Sequence, residues 1–296
     1  MSGGGAALHW QWEASTSLPL AAGALGYAAG VFRLWRAKGA GHGISLGQSA
    51  GFAAGLILLV VALCSPLAAM ADRLFAAHMV VHEIIMATAA PLIVWGRPWA
   101  AFAWLMPLGA VRGLATLRRL TGGTAATLLQ AIVIWSWHVP ALFRAAEESA
   151  ALHALQHASF LVSALLFWHA IDRLRGRKAG AAVVCLFATS LHTGFLGALL
   201  MVSPRLWFPA SGGFGLSPLE DQQLAGAIMW MPGGMVYAAA ALALASRWIM
   251  GPPGFRRFRD DDFRVSFRHA EERENSPGAP REEAREAEGR LGPAGS

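Results

Sequence analysis

Seven stretches of this chain are long enough and apolar enough to cross a bilayer, which takes about 20 mostly apolar residues. They cover residues 18–36, 48–65, 74–95, 125–143, 151–171, 180–202 and 222–249. Backbone in hydrocarbon must satisfy its hydrogen bonds internally, which leaves helices or a closed barrel. Barrel strands are about 10 residues of alternating polarity, and these segments are not, so the fold class is all-α. The expectation is a polytopic membrane helix bundle with seven transmembrane helices. Composition agrees: 14% of residues are charged and mean hydropathy is +0.44, where a soluble domain carries about 25% charge.

Charge placement gives the orientation. Residues 251–296 hold 9 Arg against 10 Asp and Glu, a near-neutral tail, although the whole chain carries +6. The positive excess therefore sits in the loops of the membrane body, as in a bacterial-type inner membrane protein and unlike a nucleic-acid binder. Arg33, Arg36 and Lys38 follow the first segment, and Arg97, Arg112, Arg118 and Arg119 the third. Arg173, Arg175, Arg177 and Lys178 follow the fifth, and Arg247, Arg256, Arg257 and Arg259 the seventh. The opposite loops have only Arg73, Arg144 and Arg205. This alternation predicts an N-terminus outside and a C-terminus in the cytoplasm. Residues 1–17 then form a short extracytoplasmic N-terminus, 18–250 the membrane domain, and 251–296 a disordered charged cytoplasmic tail. The opening MSGGGAALHW has neither a basic region nor a cleavage site, so no removable signal peptide is expected.

Finer expectations concern the loops. Residues 97–123 read as a basic, amphipathic interfacial helix plus loop, with Trp95, Trp99 and Trp104 in a cytoplasmic aromatic belt and Trp207 in the outer one. The connection Ser203–Glu220 is expected to be flexible. Pro91, Pro140 and Pro232 lie within or at the ends of segments and should kink them. Cys64 and Cys185 stand apart with no CxxC, which removes thiol-based relay chemistry.

Histidines are the chemical signal. On this topology His78 and His82 lie in the outer half of the third segment, His138 near the outer end of the fourth, and His153 and His157 at the outer start of the fifth. His192 lies in the sixth, about 15 Å from its outer end. Six of the ten histidines thus share one leaflet, and two of the pairs are spaced i, i+4 on one helix face. Ionisable side chains inside a bilayer are costly and tend to mark function. Neutral imidazole is a ligand for Cu, Zn and Fe. Methionines 70, 79, 86, 201 and 229 share the outer half; they could add thioethers for Cu(I) or serve as core filler. Two facing histidine helices could also hold a b-type haem, and the competing structural reading is that the rings bond helix to helix. His82–Glu83–Ile84–Ile85–Met86 lacks the second histidine of a zinc-protease HExxH motif. No nucleophile–base pair or nucleotide fingerprint appears, so an enzyme is not expected. Asp221, Gln222 and Gln223 read either as a helix cap or as support for a ligating histidine, and Glu83 needs a partner such as a histidine or Arg73.

In chain order the chain carries Ser65–Pro66–Leu67, His78 and His82 followed by Ala90–Pro98, and Trp137–His138–Val139–Pro140. His153–Ala154–Leu155–Gln156–His157 and the run Asp221–Gly234 complete the set. This ordered set resembles the CtaG family of multi-span cytochrome c oxidase assembly proteins associated with caa-type oxidases, over Leu18 to Met250. The resemblance implies a plasma-membrane factor that works with cytochrome c oxidase subunits at the step where copper reaches the oxidase. It carries over His78, His82, His138, His153, His157 and Asp221 as site residues. His192 joins them from position alone.

Overall fold

The computed structural model describes residues 9–107, 109–110, 113, 122–174, 178–208 and 214–250. Among them are helices and no β-strand: α1 (Ala14–Lys38), α2 (Leu46–Cys64), α3 (Pro66–Ala71), α4 (Phe75–Trp95) and α5 (Pro98–Ala103). After these come α6 (Gly123–Trp137), α7 (Pro140–Glu148), α8 (Ala150–Arg173), α9 (Ala179–Val202) and α10 (Pro218–Met250). Six of these are long and apolar enough to cross a membrane, and α6 with α7 makes a seventh crossing if the bent pair counts as one. Leu25, Ile57, Val184, Phe187 and Leu242 are 62–72% exposed around the bundle. Such a belt would aggregate in water but meets lipid at no cost. The chain is a multi-pass membrane protein.

The fourth crossing departs from the expected continuous helix over 125–143. Pro140 lacks an N–H and restricts the residue before it, Val139, to extended backbone (φ −73°, ψ 124°). α6 therefore stops at Trp137, and the chain turns by 73° into α7. α7 is amphipathic, burying Phe143 and Ala146 while Arg144 stays outside.

Pro91 and Pro232 do something different. Each lies in or just after a π-helical turn, Ile84–Ala89 in α4 and Met229–Gly233 in α10. In the first turn the Ala90 N–H bonds to Ile85 O, a five-residue spacing. The same spacing would pair Pro91 with Met86 O, but proline has no hydrogen to give. The Trp168 Nε1–H from α8 donates to Met86 O instead, at 2.9 Å. Trp168→Phe should therefore strand a buried carbonyl and lower stability by about 1–3 kcal/mol. Thermal unfolding in detergent against wild type would show it, and an unchanged midpoint would refute it.

Two small-residue contacts fix the helix spacing. Gly197 of α9 and Gly226 of α10 face each other so closely that a Cβ on Gly226 would lie 2.5 Å from Gly197 O. Gly30 of α1 meets the backbone of Ala101 in α5 in the same manner. At the far end Arg97, in left-handed backbone (φ 58°), donates from Nη1 to Gly43 O at 2.8 Å. Trp104 is buried, with Lys38 5.9 Å over its ring, and Trp99 lies 5.6 Å from the His169 ring. Of the three tryptophans expected in an interfacial belt, Trp104 packs inside, Trp99 is half-buried and Trp95 is well exposed. Most of the rest of the expected interfacial helix, residues 209–213 of the Ser203–Glu220 connection and the tail lie outside the described residues.

Candidate functional site

α4 and α8 start at the same end of the bundle and run in the same direction, because His78 meets His153, His82 meets His157, and Met86 meets Trp168 farther along. The i, i+4 spacing on each helix converts that parallel alignment into a two-by-two array of imidazoles. Along α4 the His78 and His82 ring centroids are 4.3 Å apart, and along α8 those of His153 and His157 are 4.5 Å apart. Across the helices His78–His153 is 5.6 Å and His82–His157 is 5.5 Å.

The array is enclosed and poor in hydrogen bonds. The Nε2 atoms of His78, His153 and His157 and both ring nitrogens of His82 are buried with no hydrogen-bond partner. His138 joins from the end of α6, within electrostatic reach of His78 and His82. Its Nδ1 is 2.7 Å from Ile134 O. A carbonyl only accepts, so Nδ1 carries the hydrogen and the buried, unpartnered Nε2 offers its lone pair. Among the described hydrogen bonds none joins one of these rings to another helix.

A cleft of about 310 Å³ leads to the array, lined by Asp72, Arg73, His78, Glu147, His153, Gln156 and Phe208 among others. Phe75, Phe143 and Phe208 form its apolar side, with centroids 4.7–5.2 Å apart. Asp72 and Glu13 lie within electrostatic reach of His153. Gln11 anchors the N-terminal arm at this end by donating from its backbone to Cys64 O at 2.8 Å, and from Nε2 to Asp72 at 3.4 Å.

Asp221 has a different post. It is fully buried, and its two carboxylate oxygens accept from the backbone N–H groups of Phe75 (2.7 Å) and Ala76 (2.9 Å). It caps α4, the helix that carries His78 and His82, from 146 residues away. The cap of its own helix is Ser217, paired with Glu220 in a capping box. Gln222 accepts from the N–H groups of Trp207 and Phe208 and donates to Arg205 O, which ties down the part of Ser203–Glu220 expected to be flexible.

His192 makes no described ring contact with the other histidines, though both its nitrogens are enclosed and unpartnered. Met79, Met86 and Met229 belong to the apolar core. Glu83 turns away from the array and places its carboxyl against Gly233, where a Cβ would come within 2.6–2.7 Å. Its neighbour there is Tyr237, which accepts from Gln130 Nε2 at 3.2 Å. Arg73, one of its expected partners, lines the cleft instead.

Sequence reasoning missed Gln156 and the three phenylalanines. Gln156 is 1% exposed and has an unpartnered Oε1. Its place between two histidines in LHALQH was a usable signal, whereas nothing local marks phenylalanines drawn from α4, α7 and a loop.

As the side chains stand, no three His, Cys, Asp or Glu groups among the described residues converge to hold a metal ion. The donor chemistry fits copper, since it is a set of imidazoles with buried lone pairs.

A family model described as cytochrome c oxidase caa3 assembly factor (Caa3_CtaG) matches residues 25–250, nearly the whole of the described helical body. The chain belongs to this family. No curated protein and no solved structure matches it. Membership in the Caa3_CtaG family agrees with the resemblance carried by the ordered motifs. It also places the histidine array in a protein whose relatives take part in oxidase assembly.

Proposed function

We propose that this Caa3_CtaG protein is a non-catalytic assembly factor that holds a copper ion in transit and passes it to an apo-subunit of the oxidase. Copper is here the cargo. The observation that carries the reading is the array itself: His78, His82, His153 and His157 in mutual ring contact, with enclosed nitrogens that bond to nothing in the protein. Buried polar atoms are nearly always satisfied, so a set left unsatisfied calls for a partner from outside. His138 adds a fifth imidazole whose Nε2 is enclosed and unpartnered.

The positive-inside rule supports an orientation with the N-terminus outside, because Arg33, Arg36, Lys38, Arg97 and Arg247 then all face the cytoplasm. That orientation turns the cleft toward the outer face of a bacterial plasma membrane, where an oxidase subunit could reach it.

The test is an absorption spectrum with elemental analysis on detergent-purified protein, before and after anaerobic Cu(I) loading. The expected result is near-stoichiometric copper, no Soret band, and loss of copper when His78, His82 and His157 are all changed to alanine. A Soret band would establish b-type haem instead. Neither signal would leave a metal-free chaperone.

A further inference from the structure

The four histidines are not equivalent. His78 and His153 line the cleft, together with Asp72 and Gln156, whereas His82 and His157 do not. His82 is 2% exposed, lies against the Phe160 ring at 4.5 Å, and has both nitrogens enclosed. Because the two helices run parallel, the array splits into an outer pair and an inner pair one helical turn deeper. The outer rings are stacked, 24° apart in plane, and the inner rings are edge-on at 76°. As the side chains stand, no three donors among the described residues converge.

The mouth differs in character from the floor. Asp72 is a carboxylate at the rim, held by Gln11 and felt by His153. A cation is drawn to it over solvent distances, which raises the rate of encounter more than the strength of binding. Outside the lining of the cleft, His82 is 2% exposed with both nitrogens enclosed, so an ion held there meets little water. Retention belongs there.

We propose that the cleft is the port through which the ion is exchanged, with His78 and His153 as the exchanging station and His82 and His157 as the retaining one. This rests on the copper reading above. The ion remains Cu(I) throughout and is ligated through nitrogen lone pairs, so no electron moves and no bond to carbon, sulfur or oxygen is made or broken.

The test uses the full chain in detergent, loaded anaerobically with Cu(I), with release followed by stopped flow into the Cu(I) chelator bathocuproine disulfonate. Changing His82 and His157 to glutamine should leave loading as fast as in wild type and speed release at least tenfold. Changing His78 and His153 to glutamine should slow both loading and release at least tenfold while a slow, tightly held fraction persists. Asp72→Asn, a change at the rim that spares the helices, should slow loading several-fold without lowering copper content at saturation. Equal effects of the two double variants on loading and release would overturn the two-station assignment. So would normal loading of Asp72→Asn. Wild-type protein that takes up no copper would instead overturn the copper reading itself, and the stations with it.

Discussion

Asp221→Ala should destabilise the protein by about 3–5 kcal/mol, through loss of two hydrogen bonds to a charged acceptor and exposure of two backbone N–H groups to a dry interior. Both bonds are short and the residue is fully buried, so neither solvent nor a rotamer change can replace them. The carboxylate also sits at the start of two helices, α4 and α10, where the backbone dipoles favour negative charge. Asp221→Asn keeps one acceptor oxygen and should cost about 1–2 kcal/mol. Thermal unfolding in one detergent would rank wild type, Asn and Ala in that order. If the alanine variant unfolds with wild type yet binds no copper, Asp221 is a ligand and not a cap.

Gly226→Ala carries the other large effect. A methyl group there would lie 2.5 Å from Gly197 O and 2.6 Å from Met201 N, both backbone atoms that cannot swing aside. α9 and α10 would have to separate, with a loss of about 2–3 kcal/mol. The matched control is Gly23→Ala in α1, which meets nothing within 4 Å. It should be neutral or stabilising by about 0.4–1 kcal/mol, since alanine restricts the unfolded chain and suits a helix. Equal behaviour of the two variants would show that the close contact has no energetic weight.

The body of the fold could be read from the chain because hydrocarbon imposes a length and a composition. The expected segment 74–95 corresponds to α4, Phe75–Trp95, and 180–202 to α9, Ala179–Val202. Pro140 was visible as a disturbance, but whether a proline kinks, ends or is absorbed into a helix depends on its partners. Pro91 is absorbed because Trp168 stands ready to serve Met86 O, a contact between residues 82 positions apart. Histidine spacing showed that each pair shares a face. That the two faces meet is a matter of helix order around the bundle, which local sequence does not encode. Asp221 illustrates the same gap. Its position near a helix start suggested a cap, and it is one, though of a helix from another part of the chain.

The shortness of α6 has a consequence for the surrounding lipid. Its 15 residues rise about 22 Å, against roughly 30 Å of hydrocarbon. Hydrophobic mismatch of that size is met by local thinning of the bilayer or by drawing the amphipathic α7 into the headgroup layer. In both cases the water–lipid boundary dips beside His138, at the end of the bundle where the cleft opens. The hydrocarbon layer is therefore expected to be thinnest at the mouth of the cleft, a consequence of the break that Pro140 makes in the fourth crossing.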